Sequence, residues 1–178
     1  MTLAVLDITD LAAEADLARQ FAPTAHRILA DLVVGGAALG WVEPPTLDEV
    51  TELFDEVAAA AEDGNGSLRA AYVDRHLLGV GYWMRYPRPT HRRNADLQKI
   101  AVTKAAQGHG IGRAVTTTLI DDARRADIEV LTLDVRGDNL GAQHLYESLG
   151  FLQYGRIPKF VAVNEDRYDK ICYYLTLR

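Results

Sequence analysis

Asn94-Ala95-Asp96-Leu97-Gln98-Lys99-Ile100-Ala101-Val102-Thr103-Lys104-Ala105-Ala106-Gln107-Gly108-His109-Gly110-Ile111-Gly112-Arg113 is the stretch on which the fold turns. Its first half alternates, with Asp96, Gln98, Ile100 and Val102 on one face and Leu97, Lys99 and Ala101 on the other. Toward its end it is apolar on both faces, as a strand near the centre of a sheet should be. After the glycines, Ile111, Val115, Leu119 and Ala123 recur at helical spacing, while Asp121, Asp122, Arg124 and Arg125 are assigned to a solvated face. Val130 to Val135 is the next strand-like run. Strand, helix, strand in this order predicts a right-handed crossover with the two strands parallel.

Upstream, a short first strand precedes a helical stretch from Leu11 to Gln20, with a helix restart expected at Ala22-Pro23-Thr24, because proline suits an early helical position. Gly35-Gly36 ends that region, and residues 35–45 form a loop. Thr46 with Glu49 three residues on reads as a capping box, opening a helix through Leu53, Phe54, Val57 and Ala60 to a stop at Asp63-Gly64. Ser67 to Val73 and Leu77 to Tyr86, split by Asp74-Arg75-His76, read as an antiparallel hairpin. Downstream, a short helix from about Leu140 to Leu149 precedes two strands, in the last of which Ile171, Tyr173, Leu175 and Leu177 alternate with Cys172, Tyr174 and Thr176. The expected fold class is α/β (α+β): one domain over 1–178, with a mixed, mostly antiparallel sheet, one parallel strand pair and helices on both faces.

Composition narrows the partners. Acidic side chains (25) outnumber basic ones (19), giving a formal charge of −6 and a pI near 5.3 with no basic tail, so nucleic acid is not the expected partner. Met1 to Asp7 has no basic leader before an apolar run, and no apolar stretch approaches the roughly 20 residues a membrane helix needs, so a cytoplasmic setting without membrane contact is expected. The single cysteine, Cys172, can form no internal disulfide and is expected to pack in a strand. No Cys/His set has zinc-ligand spacing, so no metal is expected.

Gln107-Gly108-His109-Gly110-Ile111-Gly112-Arg113 joins a strand to a helix. Backbone N–H groups without helical partners and the positive end of the helix dipole favour an anion there, and glycines let the backbone approach it closely. On composition alone, a tight turn explains the glycines equally well. A dinucleotide fingerprint counted from Gly108 needs a small residue where Arg113 stands, and a phosphate loop of the Walker type needs Gly-Lys-Ser/Thr. Neither is present. A second run extends from Asn139 through Ala142 and Tyr146 to Gly150-Phe151. On a helix, Asn139 and Tyr146 share a face about two turns, or roughly 10 Å, apart. Asn139 is also placed to cap that helix, and Tyr146 to pack inside it.

Gln107, Gly110 and Gly112 resemble the Gln/Arg-x-x-Gly-x-Gly/Ala loop of the GCN5-related N-acetyltransferase family, and Asn139 to Phe151 resembles its Asn-x-x-Ala-x-x-x-Tyr-x-x-x-Gly-Phe signature at every defining position. More loosely, Val34 to Trp41, Asn94 to Val102 and Gly155 to Pro158 are similar to segments of the tabtoxin-resistance acetyltransferases. The family resemblance implies acetyl-CoA as acetyl donor and a parallel strand pair that splays around it. It places the pyrophosphate on Gln107, Gly108, His109, Gly110, Ile111, Gly112 and Arg113, and the pantetheine arm along Ile100, Ala101, Val102 and Asn139. Tyr146 falls at the sulfur. Asp96 stands where the looser relatives lead one to expect glutamate, and Lys104 where proline often follows the central strand.

An alkyl amine of pKa about 10.4 must lose a proton to attack a thioester, which at pH 7 costs roughly 4.6 kcal/mol. Asp96 and Asp134 are the candidate bases, directly or through water, although an aspartate near a strand end is as often a turn or cap residue. Added-strand pairing with Ile100 to Val102 also offers a backbone N–H to the thioester carbonyl. A departing thiolate has a pKa near 8.5 against about 10 for tyrosine, so hydrogen-bond donation by Tyr146 is favoured over full proton transfer. The expected reaction is direct transfer in a ternary complex to a primary amine of a small molecule, an amino-acid-like metabolite, antibiotic or toxin. By elimination, residues 35–41, 85–93 and 155–168 receive that amine. A protein N-terminus or lysine as acceptor, and a non-catalytic CoA sensor, are the competing readings. The final strands could pair as a homodimer.

Overall fold

The structure, a computed structural model, describes residues 6–14 and 16–178; the segment 1–5, searched above for a leader, lies outside the described residues. In chain order the elements are β1 (Leu6–Asp10), α1 (Leu17–Val34), α2 (Leu47–Glu62), β2 (Gly66–Val73), β3 (His76–Arg85), β4 (Asn94–Val102), α3 (Ile111–Arg125), β5 (Val130–Arg136), α4 (Leu140–Ser148), β6 (Leu152–Val163) and β7 (Asp166–Thr176). The strands form one seven-stranded sheet in the order β1-β2-β3-β4-β5-β7-β6. Among the described residues only β4 and β5 run parallel; every other neighbouring pair is antiparallel. Helices cover both faces, as the patterning predicts. Ala18, Leu29, Val50 and Phe54 of α1 and α2 pack on one face with Leu68 and Tyr82. On the other, Val115 and Leu119 of α3 and Tyr146 of α4 pack with Trp83, Leu131 and Tyr173. Among the described residues no helix is long and apolar enough to cross a membrane.

The expected break at Ala22-Pro23-Thr24 does not occur, and the helix does not begin at Leu11. Leu11 is fully buried in a turn after β1, and α1 runs unbroken from Leu17 with Pro23 inside it. Proline removes the hydrogen bond that the Arg19 carbonyl would otherwise accept. Pro23 and Arg19 are both exposed, so water can satisfy that carbonyl, and the continuous apolar stripe of Ala18, Ala22, Ala25 and Leu29 holds the helix together. The capping box of α2 forms as read, with Glu49 N–H donating to Thr46 Oγ1 at 3.2 Å and Thr46 N–H to Glu49 Oε2 at 2.7 Å.

Two other expectations are corrected. Asp122 does not lie on the solvated face of α3. It is 7% exposed and accepts from Ser67 Oγ at 2.7 Å and from Arg69 Nε and Nη2 at 2.6 and 2.9 Å. Three residues after Leu119, it shares the buried stripe and meets a guanidinium reaching down from β2.

The second correction concerns β4. Tyr82 of β3 faces Gln98, but Val80 faces Ala101, so β4 carries one extra residue, and Lys99 adopts a φ of 49°. This bulge reverses the alternation. Ala95 and Leu97 join the α3-side core and Ala101 the α1/α2-side core, while Ile100 and Val102 pack toward α3. Ile100 and Val102 therefore do not share a face with Asp96 and Gln98.

Candidate active site

The parallel pairing of β4 with β5 covers only Asn94↔Val130, Ala95↔Leu131 and Asp96↔Thr132. Beyond these residues β4 stays with β3 and β5 stays with β7, so a wedge opens between residues 97–102 and 133–136. Two cavities meet at it. One, of about 460 Å³, lies on the α3/α4 side and is lined by the glycine loop, Arg113, Gly141, His144 and Leu145. The other, of about 350 Å³, is walled by Leu32, residues 37–40, β4 from Asp96 onward, and Asp134 to Arg136. Ile100, Val102, Gln107, Asn139, Ala142 and Tyr146 line both.

In the glycine loop, Gly108 and Gly110 have φ of 80° and 83°, a backbone that disfavours side chains, and a Cβ at either would meet nothing within 4 Å. Gly110 caps α3 with no side-chain hydrogen bond, so the N–H groups of Ile111, Gly112 and Arg113 have no helical partner. The first turn of α3 holds no acidic residue and carries Arg113, which leans on Ser148 Oγ at 2.7 Å. That turn lacks the negative charge a helix start prefers, and an arriving anion would supply it. Gln107, exposed, donates to the Val102 carbonyl at 3.1 Å, and His109 Nδ1 lies 3.0 Å from the Gln107 carbonyl. Asn139 caps α4, accepting from Ala142 N–H at 3.1 Å, while still lining both cavities.

Tyr146 lies where the cavities join. It is 8% exposed, its ring set edge-on to Phe151 with centroids 5.6 Å apart. Burial pushes its phenol well above the ordinary tyrosine value, so the group is a hydrogen-bond donor at neutral pH.

Asp96 sits at the closed end of the wedge. Thr132 Oγ1 donates to its Oδ1 at 2.6 Å and Gln98 Nε2 to its Oδ2 at 2.9 Å. Thr132 has one hydroxyl proton, so with that proton on Asp96 the 2.6 Å contact between Tyr86 OH and Thr132 Oγ1 requires Tyr86 to donate. Tyr82 OH in turn donates to Gln98 Oε1 at 2.9 Å. Desolvation by burial raises the Asp96 pKa; the Thr132 and Gln98 donors pull it down only in part, and the charge of Asp134 pushes it up again. Asp134 lines the same cavity, is exposed, and pairs with Lys170 Nζ at 3.0 Å.

Of the segments assigned to the acceptor by elimination, residues 37–40 wall the cavity. Tyr86 reaches it only through Thr132 and Asp96, and Tyr168 only by stacking under Arg136. Sequence reading passed over Gln98, Lys99, Thr132 and Arg136. Lys99 projects from the bulge toward the α1/α2 side, its Nζ donating to the Leu39 carbonyl at 2.8 Å and lying 3.9 Å from the centre of the Trp41 ring. Only the register of the bulge could have marked it, and strand alternation conceals that.

Comparison with known proteins bears on family and fold. Over 93 residues the chain is 30% identical to the mycothiol acetyltransferase of Renibacterium salmoninarum, a match covering 52% of this chain and 28% of that protein. Over 77 residues it is 38% identical to the [ribosomal protein bS18]-alanine N-acetyltransferase of Escherichia coli K12, covering 43% of this chain and 52% of that one. The chain thus spans about half or less of the length of these curated relatives. The structure of Salmonella typhimurium yncA with its cofactor acetyl-CoA superposes with a TM-score of 0.82 at 20% identity, covering 97% of this chain and 94% of that one, a likeness of fold. The model of the acetyltransferase (GNAT) family matches residues 31–151, from the end of α1 through the glycine loop, the wedge and α4, and the chain belongs to that family.

Proposed function

We propose that the protein is an N-acetyltransferase that moves the acetyl group of acetyl-CoA directly to a primary amine of a small molecule, amino-acid-like or an antibiotic or toxin, within a ternary complex. The observation that carries this reading is the meeting of two cavities at Tyr146. A donor lying on the α3/α4 side and an acceptor on the α1/α2 side would face each other through the wedge without an acetyl-enzyme. The residues present fit the donor: exposed glycine-loop amides for its phosphates, and the β4 edge freed by the splay for the amides of its pantetheine arm.

On this reading the acceptor ammonium is held and deprotonated at Asp96, whose pKa is raised by burial toward the range useful to a base. Asp134, exposed and paired with Lys170, adds negative charge beside it and gives the departing proton a path to solvent. Ile100 to Val102 offer backbone N–H groups to the thioester carbonyl, and the Tyr146 hydroxyl donates a hydrogen bond to the leaving sulfur. With its pKa above the ordinary tyrosine value, full proton transfer from Tyr146 to a thiolate of pKa near 8.5 is still less favourable than in water. Cys172 is buried in β7 and takes no part.

A protein amine is the second reading, raised by the relative that acts on a ribosomal protein alanine. Against it stands the size of the cavity that residues 37–40 help to line, about 350 Å³, which favours a ligand of small-molecule size. Thiol release from acetyl-CoA, followed across free amines, amino-acid-like toxins and peptides, decides among the readings. Release with small amines supports the proposal and release with peptides alone replaces it. Binding of desulfo-CoA with no release in any mixture would make the protein a sensor.

A further inference from the structure

We infer that Lys99 is a specificity-determining residue that pairs with a carboxylate on the acceptor, so that the acceptor is a zwitterion carrying an acid as well as its amine. The inference rests on the acetyl-transfer reading above and adds to it the chemical class of the acceptor.

Lys99 lines the acceptor-side cavity and is absent from the lining of the donor-side groove. Its backbone is left-handed, φ 49°, a conformation that is unfavourable for a residue with a side chain and is found here in the middle of the central strand. Its ammonium group has two partners, the Leu39 carbonyl and the face of Trp41, and both are neutral. Three N–H bonds are available and one is used by the carbonyl. Among the described residues no carboxylate forms an ion pair with it, and burial alone lowers its pKa.

Neighbouring cations are placed differently. Lys170 pairs with Asp134, and Arg136, which lines the same cavity, with Asp138. A half-buried ammonium without a counter-ion is costly, and a bound anion would relieve that cost.

The same cavity holds Asp96 and Asp134. Lys99 is three residues further along β4 than Asp96, roughly 10 Å at strand rise and somewhat less across a bulge. The cavity is therefore negative beside the wedge, where the amine must react, and positive under residues 37–40. A ligand complementary to both ends presents an ammonium to Asp96 and a carboxylate to Lys99. The chain's net charge of −6 gives no general attraction for anions, so selection of an acid has to come from a local cation such as this one.

Thiol release from acetyl-CoA is measured with the twenty L-amino acids and their carboxamides, for the wild type, Lys99→Met and Lys99→Arg. The expected wild-type result is a kcat/KM at least about tenfold higher for the acid than for the matched amide in the best pair. Lys99→Met lowers that ratio about tenfold, through KM more than kcat, and Lys99→Arg retains most of it. Desulfo-CoA affinity by calorimetry is the same in all three proteins, which also verifies that the variants are folded.

A wild-type enzyme that uses acid and amide equally, or a ratio that survives Lys99→Met, overturns the inference while leaving acetyl transfer to small amines intact. Desulfo-CoA affinity lost with Lys99→Met would reassign Lys99 to the donor and overturns it as well. Binding of desulfo-CoA with no thiol release from any of the acceptors counts against the small-amine reading, and this inference falls with it.

Discussion

Replacing Tyr146 by phenylalanine separates its proposed chemistry from its packing, because the two fall on different atoms. The ring is the packing element, 8% exposed and edge-on to Phe151 at 5.6 Å, and phenylalanine keeps it. Tyr146 lines both cavities, and its hydroxyl forms no hydrogen bond to the described residues, so removing it breaks no such bond. The expected stability change lies within about 1 kcal/mol, a shift of no more than roughly 2 to 4 °C in Tm for a domain of this size. If the hydroxyl donates to the leaving sulfur, the loss appears in the transition state alone. About 10²-fold in kcat corresponds to roughly 2.7 kcal/mol. The assay is thiol release under saturating acetyl-CoA, with desulfo-CoA affinity by calorimetry and thermal unfolding alongside. Unchanged turnover would remove Tyr146 from the mechanism. A fall in turnover matched by a fall in Tm would assign the effect to packing instead. Tyr146→Ala could not make this distinction, since losing the ring costs about 3 to 5 kcal/mol of stability by itself.

Four other substitutions probe different parts of the molecule. Asp96→Asn should lower kcat/KM by about 10²-fold or more. Because burial raises the Asp96 pKa, the acid limb of the wild-type pH–rate profile should lie above the ordinary carboxylate range and vanish in the variant; an unaltered profile would exclude Asp96 as the base. Ionising Asp96 costs fold stability as pH rises from the unfolded carboxylate value through the raised folded one, so over that window urea unfolding should shift in favour of the variant. Gly110→Val puts a β-branched residue at φ 83° and should weaken desulfo-CoA binding about tenfold, whereas Gly112→Ala, whose Cβ would meet its nearest atoms at 3.5 and 3.6 Å, should bind nearly as the wild type does. Equal affinity of the valine variant would remove the loop from the donor site. Asp122→Asn leaves the half-buried Arg69 without its main counter-charge and should cost about 3 kcal/mol at pH 7. Desolvation alone would raise the Asp122 pKa, but hydrogen bonds from Arg69 and Ser67 overcome it and depress it. The stabilisation is therefore present above the ordinary carboxylate value and lost as pH falls through the depressed one, where the two proteins should converge in urea unfolding.

The proposed donor side could be read from the sequence because the chemistry proposed for it is backbone chemistry at local spacing. Glycines at 108, 110 and 112, and Asn139 and Tyr146 seven residues apart, keep their relations whatever the rest of the chain does. The acceptor side was not, because it is assembled across the sheet. Asp96 finds Thr132 through parallel pairing, and Gln98 finds Tyr82 through antiparallel pairing. Lys99 finds Leu39 and Trp41 from a loop sixty residues earlier in the chain. No periodicity encodes such meetings. The misreadings share a cause: a strong local rule applied without its tertiary partner. Pro23 stays helical because its solvent-facing position lets water replace the missing donor. Asp122 is buried because Arg69 is there to receive it.

The bulge at Lys99 explains why donor and acceptor recognition can share one strand. In a regular β4, Asp96, Gln98, Ile100 and Val102 would face the same way, and the base would stand among the residues that line the donor groove. One extra residue divides the strand between two tasks. Asp96 and Gln98 keep the face shared with Tyr82, and Ile100 and Val102 turn to the α3 side. The parallel pairing with β5 ends at Asp96, just before the bulge, so the wedge opens where the faces exchange. A thioester lying along Ile100 to Val102 on one side of the sheet and an amine held at Asp96 on the other would then meet at the gap, with Tyr146 behind it. The residue that makes the exchange possible is also the one whose ammonium enters the acceptor cavity without a counter-ion. On the proposed reading, backbone register and acceptor charge selection would both be set at this one position, and the left-handed backbone of Lys99 would serve the site as well as the sheet.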